Sequence, residues 1–224
     1  IRTLLRQVDI VLSILPIYED RTSAPNVPFL HAALGTLPTG ALRFLRILSY
    51  LENIDSVLYS CRSDKRILDR IFPDREIGNS FLPFAVDRSV FFPRGTGKRS
   101  EIRTRYGINP SAKVLVYTGR LVRAKNVDLL FNMLENVLRV IPDTMLILAG
   151  SAQAGNSSAL EYRKELDQII DRKQLGGRVL FTGDLNDEDQ AGLFSASDLF
   201  LTCTTNLDEN FGDSAVEAMR CGLP

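Results

Sequence analysis

Two carboxylates, Glu209 and Glu217, stand eight positions apart in the run Glu-Asn-Phe-Gly-Asp-Ser-Ala-Val-Glu, with Phe211 and Gly212 between them. The apolar run 198–202 precedes them, so the segment reads as strand, loop and helix start. Glu209 then falls in the loop, and Glu217 about a turn and a half into a helix that opens near Gly212. The first N–H groups of a helix lack acceptors within the helix and bind anions, phosphates above all. A carboxylate in the same place accepts hydrogen bonds from hydroxyl groups. Phosphate together with hydroxyls points to a sugar nucleotide. Taken alone, the pair fits helix capping, the acid and base of a glycoside hydrolase, or ligand binding. Asp208 reads as a solvated neighbour, and Asp213 as a complement to the helix dipole.

A second constellation is Gly119-Arg-Leu-Val-Arg-Ala-Lys-Asn126. Arg120 offers a planar fork for phosphate oxygens, and Lys125 a compact positive charge. Two cations at one strand end neutralise a pyrophosphate; a solvated basic loop is the alternative. Arg123 fits the solvated reading. His31, the single histidine, follows an apolar stretch and is expected at a strand's carboxyl end, as a ligand contact or as a half-buried side chain bonded to backbone. Gly150 and Gly155 flank another loop and form a weak phosphate signal. Cys203 and Cys221 read as core packing.

The elements that must position these residues alternate. Strands are expected at 113–118, 144–149, 178–182 and 198–202, and helices at 126–140, 158–173, 187–196 (capped by Asp187) and from Gly212. Strand and helix in alternation make a parallel, doubly wound sheet, which binds ligands at the carboxyl ends of its strands. The loops after Thr118, Ala149, Thr182 and Thr202 then face one crevice. The first half is less regular: strands at 8–15, 27–31 and 56–60, helices at 40–53 and 64–71, and an extended piece at 81–85. The run 91–100 is rich in Gly, Pro and charge. The expected organisation is therefore α/β with two Rossmann-like doubly wound domains, 1–92 and 113–224, joined by a linker at 93–112.

Bulk properties narrow the partners. The chain has 224 residues, 45% apolar and 24% charged, within the range of globular proteins. Lys plus Arg and Asp plus Glu number 27 each, so nucleic acid, which selects a basic excess, is not an expected partner. Three scattered cysteines and one histidine make no metal-ligand pattern, and no metal site is expected. No apolar run reaches membrane-spanning length. The odd, scattered cysteines read as free thiols of a reducing compartment, and a cytoplasmic location is the expectation. Arg43 and Arg46 beside the apolar face of 40–53 add a second one, peripheral association with the cytosolic face of a membrane. The chain begins at Ile1 and ends on Gly222-Leu-Pro224, which reads as an internal piece of a longer protein with both domains incomplete.

Together the motifs resemble the family 4 ("group 1") glycosyltransferases, retaining enzymes of the GT-B fold. Gly119-Arg-Leu with Lys125-Asn126 is similar to G-R-L-x-x-x-K-[GN]. The run 144–150 is similar to L-x-I-x-G, and 179–183 to V-x-F-x-G. The run 209–224 is similar to E-x-F-G-x4-E-A-M-x-x-G-x-P. The N-terminal match is looser: Asp9-Ile-Val, Pro28-Phe-Leu-His31, and 83–93 with Phe84-Ala85 in place of the usual Asn-Gly. The resemblance implies transfer of a sugar from a nucleotide-sugar donor to an acceptor it does not name, with retained configuration and no metal or other cofactor. Arg120 and Lys125 would hold the donor diphosphate. Glu209 would contact donor-sugar hydroxyls, with backbone N–H groups at Phe211 and Gly212 facing sugar or phosphate. Glu217 would bind the ribose hydroxyls. Gly119 would open the diphosphate loop, Gly183 to Leu185 would line the base pocket, and His31 would reach the donor sugar from the other domain. A non-catalytic nucleotide-sugar-binding protein of the same fold is the alternative reading, and a nucleotide-sugar epimerase a third.

Overall fold

The computed structural model describes residues 11–13, 29–33, 56–59, 62–71, 78–83, 85–152, 157–204 and 212–224. The described residues up to Ala85 fall in one compact unit and those from Val86 onward in another. The first unit holds four parallel strands in the order β1 (Val11–Ser13), β2 (Phe29–Ala33), β3 (Ser56–Tyr59) and β4 (Gly78–Phe81), with helix α1 (Arg62–Ile71) following β3. The strand expected at 27–31 corresponds to β2, which runs on to Ala33; positions 27 and 28 lie outside the described residues. His31 is consequently mid-strand, paired with Ser13 and Val57, and not at a carboxyl end. The expected helix at 40–53 lies outside the described residues.

The second unit carries the elements α2 (Thr96–Arg105), β5 (Lys113–Thr118), α3 (Asp128–Leu138), β6 (Thr144–Ala149), α4 (Ser157–Arg172), β7 (Val179–Gly183), α5 (Asp187–Ala196), β8 (Leu199–Phe200) and α6 (Asp213–Arg220). Its sheet is parallel in the order β7-β6-β5-β8. Alternate residues of a strand point to opposite faces, and both faces of β5 and β6 are apolar. Val114, Val116, Ile147 and Ala149 pack with Ala191, Leu193, Phe194, Ala218 and Cys221 on one face. Leu115, Tyr117, Leu146 and Leu148 pack with Leu130, Phe131, Leu134, Tyr162 and Leu166 on the other. Burying each such large side chain contributes roughly 1.5–3 kcal/mol.

The stretch 93–112, expected as a linker, holds helix α2. Only one of its ten residues, Ile102, is a buried apolar side chain, so hydrophobic spacing does not reveal it. Arginines hold it instead. Arg103, 6% exposed, donates to the carbonyls of Ala196, Pro110 and Ala112 and to Asp198 Oδ2 (2.9 Å). Arg99 donates to Asp198 Oδ1 (2.8 Å). Residues expected to end the first domain also pack here: Phe91 is buried against Phe194, ring centroids 6.4 Å apart. Asp198 further accepts the Val114 N–H (2.8 Å), and β8 is reduced to Leu199–Phe200 from the expected 198–202. Helix α5 is capped by Asn186, one residue before the expected Asp187; its Oδ1 accepts the Asp189 N–H at 2.8 Å.

Candidate functional site

The carboxyl edge of the second sheet is built on glycine. Strand β5 lies between β6 and β8, so the strand order reverses there, the position at which doubly wound sheets take ligands. Gly119, Gly150 and Gly183 end β5, β6 and β7 at φ of +148°, +132° and +75°. The Gly119 N–H donates to Ala149 O (2.9 Å), and the Gly150 N–H to Gly183 O (2.8 Å). A Cβ on Gly150 would stand 2.1 Å from Gly119 O, and one on Gly119 2.9 Å from Tyr117 Oη. Backbone therefore lies on backbone at the strand ends, with no side chain between them.

The cationic loop rises from this floor. Tyr117 Oη donates to Arg120 O (3.1 Å), and the Leu121 N–H to Ser151 O (3.1 Å). Buried Leu121 anchors the loop beneath the exposed Arg120. A 3₁₀ turn over Arg123–Lys125 follows, and Asn126 turns left-handed at φ +48°, a conformation Asn tolerates better than most residues. Asn126 Nδ2 donates to Cys203 O (3.2 Å) and Thr204 Oγ1 to Ala124 O (3.4 Å), so the loop after β5 is tied to the segment after β8. Half-buried Lys125 is held inside this arrangement. Arg123 points elsewhere: it pairs with Glu165 and stacks on Tyr162, its guanidinium carbon 5.4 Å from the ring centroid.

The other side of the edge is carboxylate and helix end. Gly212, at φ +75°, is the N-cap of α6, and no described side chain caps that helix. Glu217 is the fifth residue of α6 and is half-buried. Gln190 Nε2, from α5, donates to Glu217 Oε2 at 2.6 Å. Burial pushes the Glu217 carboxyl pKa up, Asp213 and Asp187 push it further, and the Gln190 hydrogen bond pulls it back. Leu185 is partly buried on the core below, and Asp184 beside it accepts from Ser151 Oγ (2.6 Å).

Gly119, Arg120, Lys125, Gly183, Leu185, Gly212 and Glu217 thus all sit in the second unit, at strand ends, in the loops that leave them or on α6. Glu209 and Phe211 lie outside the described residues, and His31 belongs to the first unit. Cys221 is buried in the core on one face of the sheet as expected, and Cys203, half-buried, packs on the separate core cluster of the other face. Among the described residues, no group of three or more His, Cys, Asp or Glu side chains could hold a metal ion. Sequence reasoning overlooked Gln190, whose meaning depends on where α5 crosses α6.

A parallel sheet with glycine strand ends and a cationic loop at the reversal of strand order define a doubly wound α/β protein. The chain belongs to the glycosyl transferases group 1 family, whose model matches residues 98–224. The fold is that of GT-B glycosyltransferases. It resembles the crystal structure of Anabaena Alr3699/HepE in complex with UDP with a TM-score of 0.82 at 22% identity, over 100% of this chain and 60% of that one. The D-inositol 3-phosphate glycosyltransferase of Mycobacterium marinum is 32% identical over 214 residues, 92% of this chain and 43% of that protein. The mannosylfructose-phosphate synthase of Agrobacterium fabrum is 31% identical over 143 residues, 64% of this chain and 31% of that protein. The chain therefore spans less than half the length of these two curated relatives.

Proposed function

We propose that the full protein is a retaining glycosyltransferase that moves a sugar from a nucleotide-sugar donor to an acceptor hydroxyl. The bond from the anomeric carbon to the diphosphate oxygen breaks, and a bond to the acceptor oxygen forms. The acceptor loses its proton, and the nucleoside diphosphate departs with the bonding pair. Charge develops on that leaving diphosphate. Arg120 and Lys125 meet it with positive charge already in place, the preorganised electrostatic stabilisation that dominates many such reactions. In this reading the two side chains take the role a divalent cation takes in other transferases. Glu217 accepts the ribose hydroxyls, and the Gly183–Leu185 turn lines the base. Glu209 is assigned to the donor sugar by its place in the motif.

The observation that carries this reading is the Gly119–Asn126 loop at the reversal of strand order, in a chain of this family. The full-length protein, screened against nucleotide sugars, is expected to release nucleoside diphosphate from one of them. Lys125→Ala is expected to lower that turnover by about two orders of magnitude, the scale of one lost transition-state contact. Undiminished turnover in Lys125→Ala would refute the role given to the loop.

A further inference from the structure

We propose that Gln190 is a positioning residue of the donor site: its amide holds one oxygen of the Glu217 carboxylate and leaves the other turned to the ribose hydroxyls. The inference rests on the reading of Glu217 as the ribose-binding carboxylate. It is carried by the 2.6 Å hydrogen bond from Gln190 Nε2 to Glu217 Oε2, which crosses from α5 to α6.

Both ends of that bond are fixed independently. Gln190 stands one turn into α5, whose start is set by the Asn186 cap; its own N–H donates to Asn186 O (2.9 Å). The next residue, Ala191, is fully buried. Glu217 is likewise followed by fully buried Ala218, and both alanines belong to one core cluster. The hydrogen bond thus lies on the rim of a packed helix–helix contact, which restricts the rotamers of both side chains. The surroundings show why the carboxylate needs such a partner. Asp213 lies one turn before Glu217 and Asp187 at the start of α5, and both act on Glu217 as like charges. An amide N–H is the neutral donor that orients a carboxylate there and favours its ionised form. Geometry supplied by a supporting residue of this kind is what keeps a binding group in its productive orientation.

The test uses the full-length protein. UDP, GDP and ADP are titrated by calorimetry, and the tightest binder is then compared with its 2′-deoxy counterpart. Wild type, Gln190→Leu, Glu217→Ala and the double variant are measured. Gln190→Leu is expected to weaken the ribonucleotide about tenfold, the effect of one hydrogen bond to a charged group, and to spare the deoxynucleotide. The double variant is expected to bind no worse than Glu217→Ala, because Gln190 acts only through Glu217. In turnover the donor KM rises with kcat unchanged. Equal weakening of both nucleotides, or full ribose preference in Gln190→Leu while Glu217→Ala loses it, overturns the inference and leaves the Glu217 reading standing. Ribose preference retained in Glu217→Ala overturns both. Should Gln190→Leu fail to fold, Gln190→Met removes the donor at nearly the same length.

Discussion

In the proposed site Glu217 meets two conflicting demands, and pH separates them. Burial raises its carboxyl pKa, so the folded state holds that proton more tightly than the unfolded chain does. The stabilisation that follows is present below the ordinary glutamate pKa and is lost as pH rises through the folded value. Ligand binding needs the opposite form, the carboxylate that accepts hydroxyl protons. Ionising Glu217 therefore costs stability, and the proposed site requires that ionised form. Glu217→Gln is expected to raise the thermal midpoint relative to wild type at pH 7 and to lose that advantage near pH 4, while its nucleotide affinity falls. Thermal melts at the two pH values check this, and a pH-independent difference would contradict it. The sign distinguishes Glu217 from Asp87, whose pKa is lowered, first by the Ser89 hydroxyl and then by its N–H.

Among the elements, the glycine strand ends are the least replaceable parts of the edge. Gly150→Ala places a Cβ against the Gly119 carbonyl at 2.1 Å, in backbone at φ +132° that side chains rarely adopt. The neighbouring atom is main chain, so neither rotamer change nor surface relaxation relieves it. The expected cost is about 3 kcal/mol or more, read as a lower denaturation midpoint, together with a displaced Gly119–Asn126 loop and weaker nucleotide binding. Stability equal to wild type would show that the two strand ends can part. The same edge explains what the sequence makes legible. Strands β5 and β6 are continuous apolar runs because both faces are covered, and α3 shows its buried Leu130, Phe131 and Leu134 at helical spacing. Those elements, and hence the loop carrying Arg120 and Lys125, can be read without coordinates. Helix α2 cannot, because its attachment is made by the guanidinium groups of Arg99 and Arg103 reaching carbonyls and Asp198 nearly a hundred residues away. Position within a short strand is equally hidden: β2 runs on to Ala33 and so holds His31 inside it, not at its end. Gln190 fails to appear for a third reason, that its partner is 27 residues on and on another helix.

At the scale of the molecule, charge and topology together set how a ligand is felt. The chain has 27 cationic and 27 anionic side chains, so no net field draws an anion in from a distance. The proposed affinity for a diphosphate would then come from the few groups at the carboxyl edge, with a salt dependence modest beside the steep slope of a nucleic-acid binder. The amino edge of the same sheet is closed differently. There the Lys113 N–H meets Asp143 O (2.8 Å), Ser111 Oγ meets Asp143 Oδ2 (2.8 Å), and Arg103 fills the carbonyls of Pro110 and Ala112. Those groups are already paired with one another and offer a ligand little. Nucleoside diphosphate is therefore expected to slow hydrogen exchange in 119–126, 183–190 and 212–217, and to leave 106–112 and 139–143 as they were. Protection confined to the carboxyl edge follows from a local site of two cations and a helix end. Equal protection at both ends of the sheet would mean that binding stabilises the unit globally, and the geometry assigned to Arg120, Lys125 and Glu217 would lose its support.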